Sequence, residues 1–262
     1  MDQVEVLALL DRQLRREAER DGGTTRIERD DRVVRNVGTN AHDWNAVLWS
    51  DLDESTADAV IAEQVAYFRS LGLGFEWKHY SHDAPADLGD RLTAAGLVAD
   101  EPETVMVAAV ADLPTEVILP DGVRLEPVTD EHGVDLLIRA AEEAFGESRS
   151  WLRERLIDQL ADAPDRTRIV VAMAGDRPVC GARIDFVPGT AFAGLWGGGT
   201  VHEWRGRGVY RATVAYRTRI AAELGYEYLQ VDASDESRPI LARLGFTALT
   251  TTTPYELPPP PR

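Results

Sequence analysis

Arginine and glycine alternate through Arg205-Gly206-Arg207-Gly208, and the residue types on either side define what such a run could do. Before it lies an apolar, glycine-rich stretch, Phe192 to Thr200. After it, Val209, Ala212, Thr213, Tyr216, Ile220 and Leu224 fall three or four residues apart, which predicts a helix with one apolar face. The expected order is strand, tight glycine turn, helix. The first backbone N–H groups of a helix have no partner within it, and the helix dipole favours an anion there. Gly206 and Gly208 let a ligand approach the backbone without a Cβ in the way. Arg205, Arg207 and Arg211 supply charge suited to phosphate oxygens, and Arg207 and Arg211 are one helical turn apart. The chemistry expected here is retention of a pyrophosphate, with Val209 and Tyr210 contributing backbone N–H groups. An ordinary strand–helix turn with surface arginines has the same short pattern, so the decision rests on the rest of the chain.

The elements that must position this turn are legible on both sides. Val123–Pro127, Arg168–Ala174, Val179–Val187 and Phe192–Val201 read as strands, with Gly175-Asp176 as a hairpin turn between the second and third. Val134–Phe145 and Trp151–Leu160 read as helices, and Tyr226–Asp232, Arg238–Leu244 and a strand from Phe246 follow the glycine turn. Upstream, a charged amphipathic helix spans Met1–Ala18 and is interrupted at Asp21-Gly22-Gly23. Extended segments follow at Arg26–Val37 and Trp44–Leu52. Ser55-Thr56-Ala57-Asp58 has the form of a capping box opening a helix, then come a strand Phe75–Tyr80, a short helix Pro85–Ala95 and a strand Thr104–Val110. Prolines bracket 113–120 as a linker. The expected organisation is α+β, with units at 1–112 and 121–256 and a proline-rich tail at 257–262.

Composition narrows the function. The 262 residues have a hydrophobic fraction of 44%, that of a globular protein, and a formal charge of −17. That charge argues against nucleic acid or an anionic membrane as partner. Cys180 is the single cysteine, so no intramolecular disulfide forms, and a reducing cytoplasmic setting is expected. No run is long and apolar enough for a bilayer span, and the first helix lacks the apolar core of a signal peptide. The five histidines show no metal-ligand spacing, so no metal is expected. Oligomeric state is not readable.

At the glycine turn the chain resembles the GNAT acyltransferase superfamily, whose acyl-coenzyme A signature runs Gln/Arg-x-x-Gly-x-Gly/Ala. Arg205 to Val209 match it and Tyr210 departs at its last position. A later family block, Asn-x-x-Ala-x-x-Leu-Tyr-x-x-x-Gly-Phe, keeps its frame over Ser234–Phe246, with Ser234 in place of the asparagine and Leu241 in place of the tyrosine. The resemblance covers 118–256. It implies an N-acetyltransferase that uses acetyl-CoA as acyl donor and a small-molecule primary amine as acceptor, the amine attacking the thioester directly. Carried over by position, it puts the pantetheine arm and thioester against Gly198, Gly199 and Thr200, with Ser234 hydrogen-bonding the coenzyme or the backbone. Relatives often carry a glutamate base on the strand that here reads Phe192-Ala193-Gly194-Leu195-Trp196, without an ionisable group. The remaining catalytic candidates are Glu142, Glu143 and Asp185 as base and Tyr210 or Tyr255 as acid, each with a structural role as the alternative. Trp151 and Trp196 could line an acceptor pocket or belong to the core. A coenzyme-A-binding regulatory module without turnover is the other function to weigh.

The two halves share a rhythm. Leu71-Gly72 before Phe75-Glu76-Trp77 parallels Leu224-Gly225 before Tyr226-Glu227-Tyr228, and Leu92–Leu97 parallels Leu241–Phe246. A tandem GNAT-like chain follows, in which the first half is degenerate. Where the second half has Arg205 to Gly208, the first has Asp51-Leu52-Asp53-Glu54, and carboxylates at a helix start repel a pyrophosphate.

Overall fold

A computed structural model describes residues 1–19, 25–39 and 43–260; the break expected at Asp21-Gly22-Gly23 and the last two residues of the expected tail lie outside them. The fold is α+β, and the chain divides into two compact units. The division is not the expected one at 113–120. A first-half unit comprises Asp2–Val105, Ala233–Glu236 and the chain from Ala248 onward; a second-half unit comprises Met106–Asp232 and Ser237–Thr247. Residues 113–119 have neither helix nor strand, but the units part before them.

In the first-half unit, α1 (Gln3–Leu10) is capped by the Asp2 carboxylate, which accepts from the Val4 and Glu5 N–H groups, and continues as a π-helical turn, Asp11–Arg16. Then come β1 (Arg26–Arg29), β2 (Val33–Val37), β3 (Ala46–Ser50), α2 (Ala57–Ser70), β4 (Phe75–Tyr80), α3 (Leu88–Ala94) and β5 (Val98–Ala99). The sheet order is β1-β2-β3-β4-β12, where β12 (Thr247–Leu257) is the last strand of the chain. Neighbours are antiparallel except β3 and β4, which are joined through α2 and run parallel. One face of α2 packs Val60, Ile61, Val65 and Phe68 onto Trp77, Leu88 and Leu92, with Leu257 in the same core. The π-helical turn is held by Arg15, a buried guanidinium that pairs with Asp83 at 2.7 Å and Asp11 at 2.7 Å and lies over the Tyr80 ring.

In the second-half unit, β6 (Glu103–Ala109) enters from the first half of the sequence. It is followed by β7 (Val123–Val128), α4 (Glu131–Phe145), α5 (Ser150–Asp162), β8 (Thr167–Ala174), β9 (Arg177–Phe186), β10 (Phe192–Thr200), α6 (Val209–Glu223), β11 (Tyr228–Ala233) and α7 (Arg238–Leu244). The order is β6-β11-β10-β9-β8-β7. Here too the strands up to β10 are antiparallel, while β10 and β11, joined through α6, are parallel. Helix α4 starts where Asp130 accepts from the Gly133 N–H at 2.8 Å and ends at Gly146, whose φ of +77° suits a glycine terminator.

The rhythm of the two halves is thus one of pairing as well as of sequence, and each half gives its final strand to the other unit's sheet. Local periodicity predicts each strand but not its partner, which is why the sequence-based boundary ended the first unit at 112 and the second at 256. It follows that residues 1–112 are incomplete without β12. In a chain ending at Thr247, the β4 amides should lose at least tenfold in hydrogen-exchange protection; unchanged protection at Phe75–Tyr80 would refute the role given to β12.

Candidate functional site

Two glycines shape the turn after β10. Gly206 and Gly208 have φ of +74° and +87°, a region in which a side chain costs about 1–2 kcal/mol. Gly208 is the N-cap of α6 and no side chain caps the helix; the Ala212 N–H to Gly208 carbonyl bond is the first of its backbone ladder. The N–H groups of Val209, Tyr210 and Arg211 are therefore presented to an incoming group. In the first half the turn leading into α2 is closed instead. Asp53 accepts from the Ser55 and Thr56 N–H groups at 2.8 and 2.9 Å, its carbonyl takes the Ala57 N–H at 3.0 Å, and these hydrogen bonds, that of the Ser55 hydroxyl foremost, hold its carboxyl below the usual range. The capping box expected over Ser55–Asp58 is thus replaced by a cap from Asp53; Thr56, at the N-cap, makes no side-chain cap.

The three arginines of the motif divide. Arg207 and Arg211 are exposed, Arg207 lying over the Trp204 ring at 4.8 Å. Arg205 instead turns inward: its Nε donates to the Thr200 carbonyl at 3.1 Å and its Nη2 to the Ala144 carbonyl at 3.1 Å, near the end of α4. It ties β10 to α4, although, like Arg207 and Arg211, it is exposed.

Strand β10 is irregular where the site residues lie. Its parallel pairing with β11 covers Phe192↔Tyr228, Ala193↔Leu229 and Gly194↔Gln230, although β10 runs on to Thr200 and β11 to Ala233. On its other side the register with β9 shifts between Trp196 and Gly199, at a bulge containing Gly197 with φ +60°. Gly198 and Gly199 face opposite ways. A Cβ on Gly198 would lie 2.7 Å from the Tyr210 ring, and one on Gly199 2.6 Å from the Phe145 ring. The glycine run thus admits α6 on one face and α4 on the other. The pairing of β10 with β11 is thus confined to the first three residues of β10.

Beneath the bulge sits a group that the sequence pattern did not single out. Arg217 is 1% exposed. Its Nε donates to the Thr213 carbonyl at 3.0 Å and Nη1 to the Arg183 carbonyl at 3.0 Å, while Nη2 has no hydrogen-bond partner. Burial pushes its pKa down, opposed chiefly by the Tyr210 phenol, and burial pushes the Tyr210 hydroxyl up. The buried face of α6 is accordingly not quite the predicted one: Arg217, Thr218 and Ala221 are inside, whereas Leu224 is 52% exposed. The signal was present in the arginine at helical spacing from Val209 and Thr213, but a charge reads as solvent-facing unless its donors are counted.

The remaining candidates are accounted for one by one. Glu142 accepts from the Arg149 N–H at 2.9 Å and from Ser148, bracing the turn between α4 and α5. Glu143 pairs with Arg177, and Asp185 accepts from Thr167 at 2.6 Å and pairs with Arg183 at 3.0 Å. All three carboxylates are held by neighbours. Tyr255 belongs to the first-half unit, its ring edge-on to His79 and its hydroxyl against Gly89, so it is not in the unit that carries the glycine turn. Ser234 is exposed on the segment assigned to the first-half unit, and Leu241 is fully buried. Trp151 is 47% exposed, Trp196 is half-buried and His202 is exposed. Among the described residues no group of histidine, cysteine and carboxylate side chains could hold a metal, and no helix is long and apolar enough to cross a membrane.

In sequence, no protein-family model and no curated protein matches the chain. In fold, a GCN5-related N-acetyltransferase from Kribbella flavida is similar at a TM-score of 0.67 over 99% of this chain and 95% of its own, at 17% identity. A GCN5-related N-acetyltransferase-like protein from Streptococcus suis 89/1591 gives 0.61 over 97% of each chain at 14% identity. A tandem GNAT protein from the clavulanic acid biosynthesis pathway gives 0.59 over 88% of this chain and 79% of its own at 13% identity. The fold is that of the GNAT N-acetyltransferases. More particularly, it is the tandem form, as the repeated pairing of the two halves indicates.

The close approach at Gly198 is directly testable. Gly198→Ala should cost about 1–3 kcal/mol in chemical denaturation, because the Tyr210 ring must shift. In a Tyr210→Ala background the cost should shrink, giving a coupling of at least about 0.5 kcal/mol; additive single effects would show that the ring does not set the requirement for glycine.

Proposed function

We propose that the protein is an acetyl-CoA-dependent N-acetyltransferase that acetylates a primary amine on a small molecule. The observation that carries this is the start of α6, uncapped by any side chain behind two left-handed glycines, whereas in the first half the turn leading into α2 is closed by Asp53. In this reading the N–H groups of Val209–Arg211 hold the pyrophosphate with Arg207 and Arg211, and the backbone of Gly198–Thr200 runs beside the pantetheine arm. The first-half unit does not bind the coenzyme.

The amine nitrogen attacks the thioester carbonyl carbon, the C–S bond breaks, and the amine loses a proton to water. The thiolate takes a proton from Tyr210, which regains one from water. Tyr210 suits that role because burial keeps its hydroxyl protonated and its ring lies against Gly198. Arg217 would position it and steady the phenolate formed in passing. The three candidate carboxylates each have a partner, so in this reading the acceptor arrives as neutral amine.

Three measurements test this. Thiol release from acetyl-CoA should require an amine; binding without release over an amine panel would leave a coenzyme-binding module instead. Next, kcat/KM should climb with pH toward the acceptor's own pKa, and Glu142→Gln, Glu143→Gln and Asp185→Asn should each lose well under a hundredfold, a larger loss being the mark of a general base. Finally, Gly208→Asp should weaken acetyl-CoA binding far more than Gly208→Ala. Arg207→Ala or Arg211→Ala should cost about 1.5–3 kcal/mol, roughly ten- to a hundredfold in affinity, and Arg219→Ala little. If folded Gly208→Asp binds like wild type, the cradle is elsewhere.

A further inference from the structure

The turn between α4 and α5 carries a cation with no counterion. Arg149 precedes α5, and its backbone N–H is fixed by Glu142 at 2.9 Å. Its guanidinium lies 4.4 Å over the Phe145 ring, and its Nε is buried without a hydrogen-bond partner. No ion pair or hydrogen bond to that guanidinium is formed among the described residues. Elsewhere in this unit Arg183 pairs with Asp185, Arg177 with Glu143 and Arg153 with Asp135.

The surroundings of this cation are apolar and open. Phe145, under the guanidinium, is 45% exposed. The opposite edge of Phe145 meets β10 at Gly199, where a Cβ would come within 2.6 Å of the ring. Arg149 is therefore one aromatic ring away from β10. A ligand reaching this place would meet a planar donor beside the Phe145 ring.

We infer that the amine acceptor carries a carboxylate on an apolar body, and that Arg149 receives the carboxylate while Phe145 lies against the body. This rests on the transferase reading only for the ligand's being the acceptor. A monoanion suits the site: one guanidinium balances one carboxylate, whereas a dianion would leave excess charge facing an acidic surface that includes Glu142 and Glu147. Satisfying the buried Nε gives the interaction directionality beyond charge alone.

The test uses the full chain and two probes of equal shape, 4-fluorophenylacetate and 4-fluorophenylacetamide, titrated by fluorine NMR. Wild type should bind the acid at least tenfold tighter than the amide. Arg149→Ala should abolish that preference, and Arg149→Lys should retain part of it, reporting charge without the fork. In parallel, kcat/KM for an aromatic amino acid should exceed that for its amide, and Arg149→Ala should remove the difference while leaving KM for acetyl-CoA unchanged. Equal binding of acid and amide to wild type overturns the inference, as does an undiminished preference in Arg149→Ala. If no amine supports thiol release, the transferase reading falls, while the fluorine titration still decides whether Arg149 holds a carboxylate.

Discussion

An α-helix begins with backbone N–H groups that nothing inside the helix satisfies, and how those groups are answered separates the two halves of this chain. In the turn leading into α2, Asp53 takes the N–H groups of Ser55, Thr56 and Ala57 with its carboxylate and carbonyl, the last being the first residue of the helix. At α6 no side chain answers, because Gly208 stands where a capping residue would and cannot reach. Glycine at a cap costs little stability relative to a good cap, yet it leaves a directional positive potential intact. The same topology, a strand, a helix and a parallel strand, is thus closed in one unit and open in the other by a choice at the cap.

The open start would be of no use without a strand that makes room in front of it. Strand β3 is built from Ala46-Val47-Leu48-Trp49-Ser50, whose side chains fill the space around it. Strand β10 replaces that filling over Gly197-Gly198-Gly199. The glycines do two separate jobs there: Gly197 takes a backbone conformation that breaks the register, and Gly198 and Gly199 let Tyr210 and Phe145 press against the strand. Removing side chains from a strand weakens it. Part of the compensation comes from Arg217 and Arg205, whose guanidinium groups bridge backbone carbonyls of β9, β10, α4 and α6 around the bulge.

How much of this was legible follows from which interactions are local. The strand Phe75–Tyr80 and the helix ending at Gly146 lie where alternation, periodicity and a glycine terminator put them, because each is decided within a few residues. The glycine turn was legible for the same reason. Arg205 was not: its motif position suits phosphate, but its partners are the carbonyls of Thr200 and Ala144, and Ala144 is 61 residues away. Tyr255 was misplaced for a topological reason, since the hydrophobic pattern of β12 is the same whichever sheet it joins. Arg217 was missed because burial of a charge depends on acceptors spread over two elements, and no spacing rule counts them.

The exchange of terminal strands adds a constraint that the open site alone would not suggest. Parallel β10 and β11 leave one side of β11 to be covered, and β6, from the first half of the sequence, covers it; β12 does the same beside β4. Uncovered, either edge would present a row of unpaired N–H and C=O groups. The first half, with the turn before α2 closed and its strand without glycine, therefore still has a structural task that does not depend on binding anything. A closed turn before α2 and a strand given to the other unit are compatible demands on one sequence, because the first is met around Asp53 and the second by Glu103–Ala109, well downstream of it. The closed turn before α2 thus leaves β6 untouched.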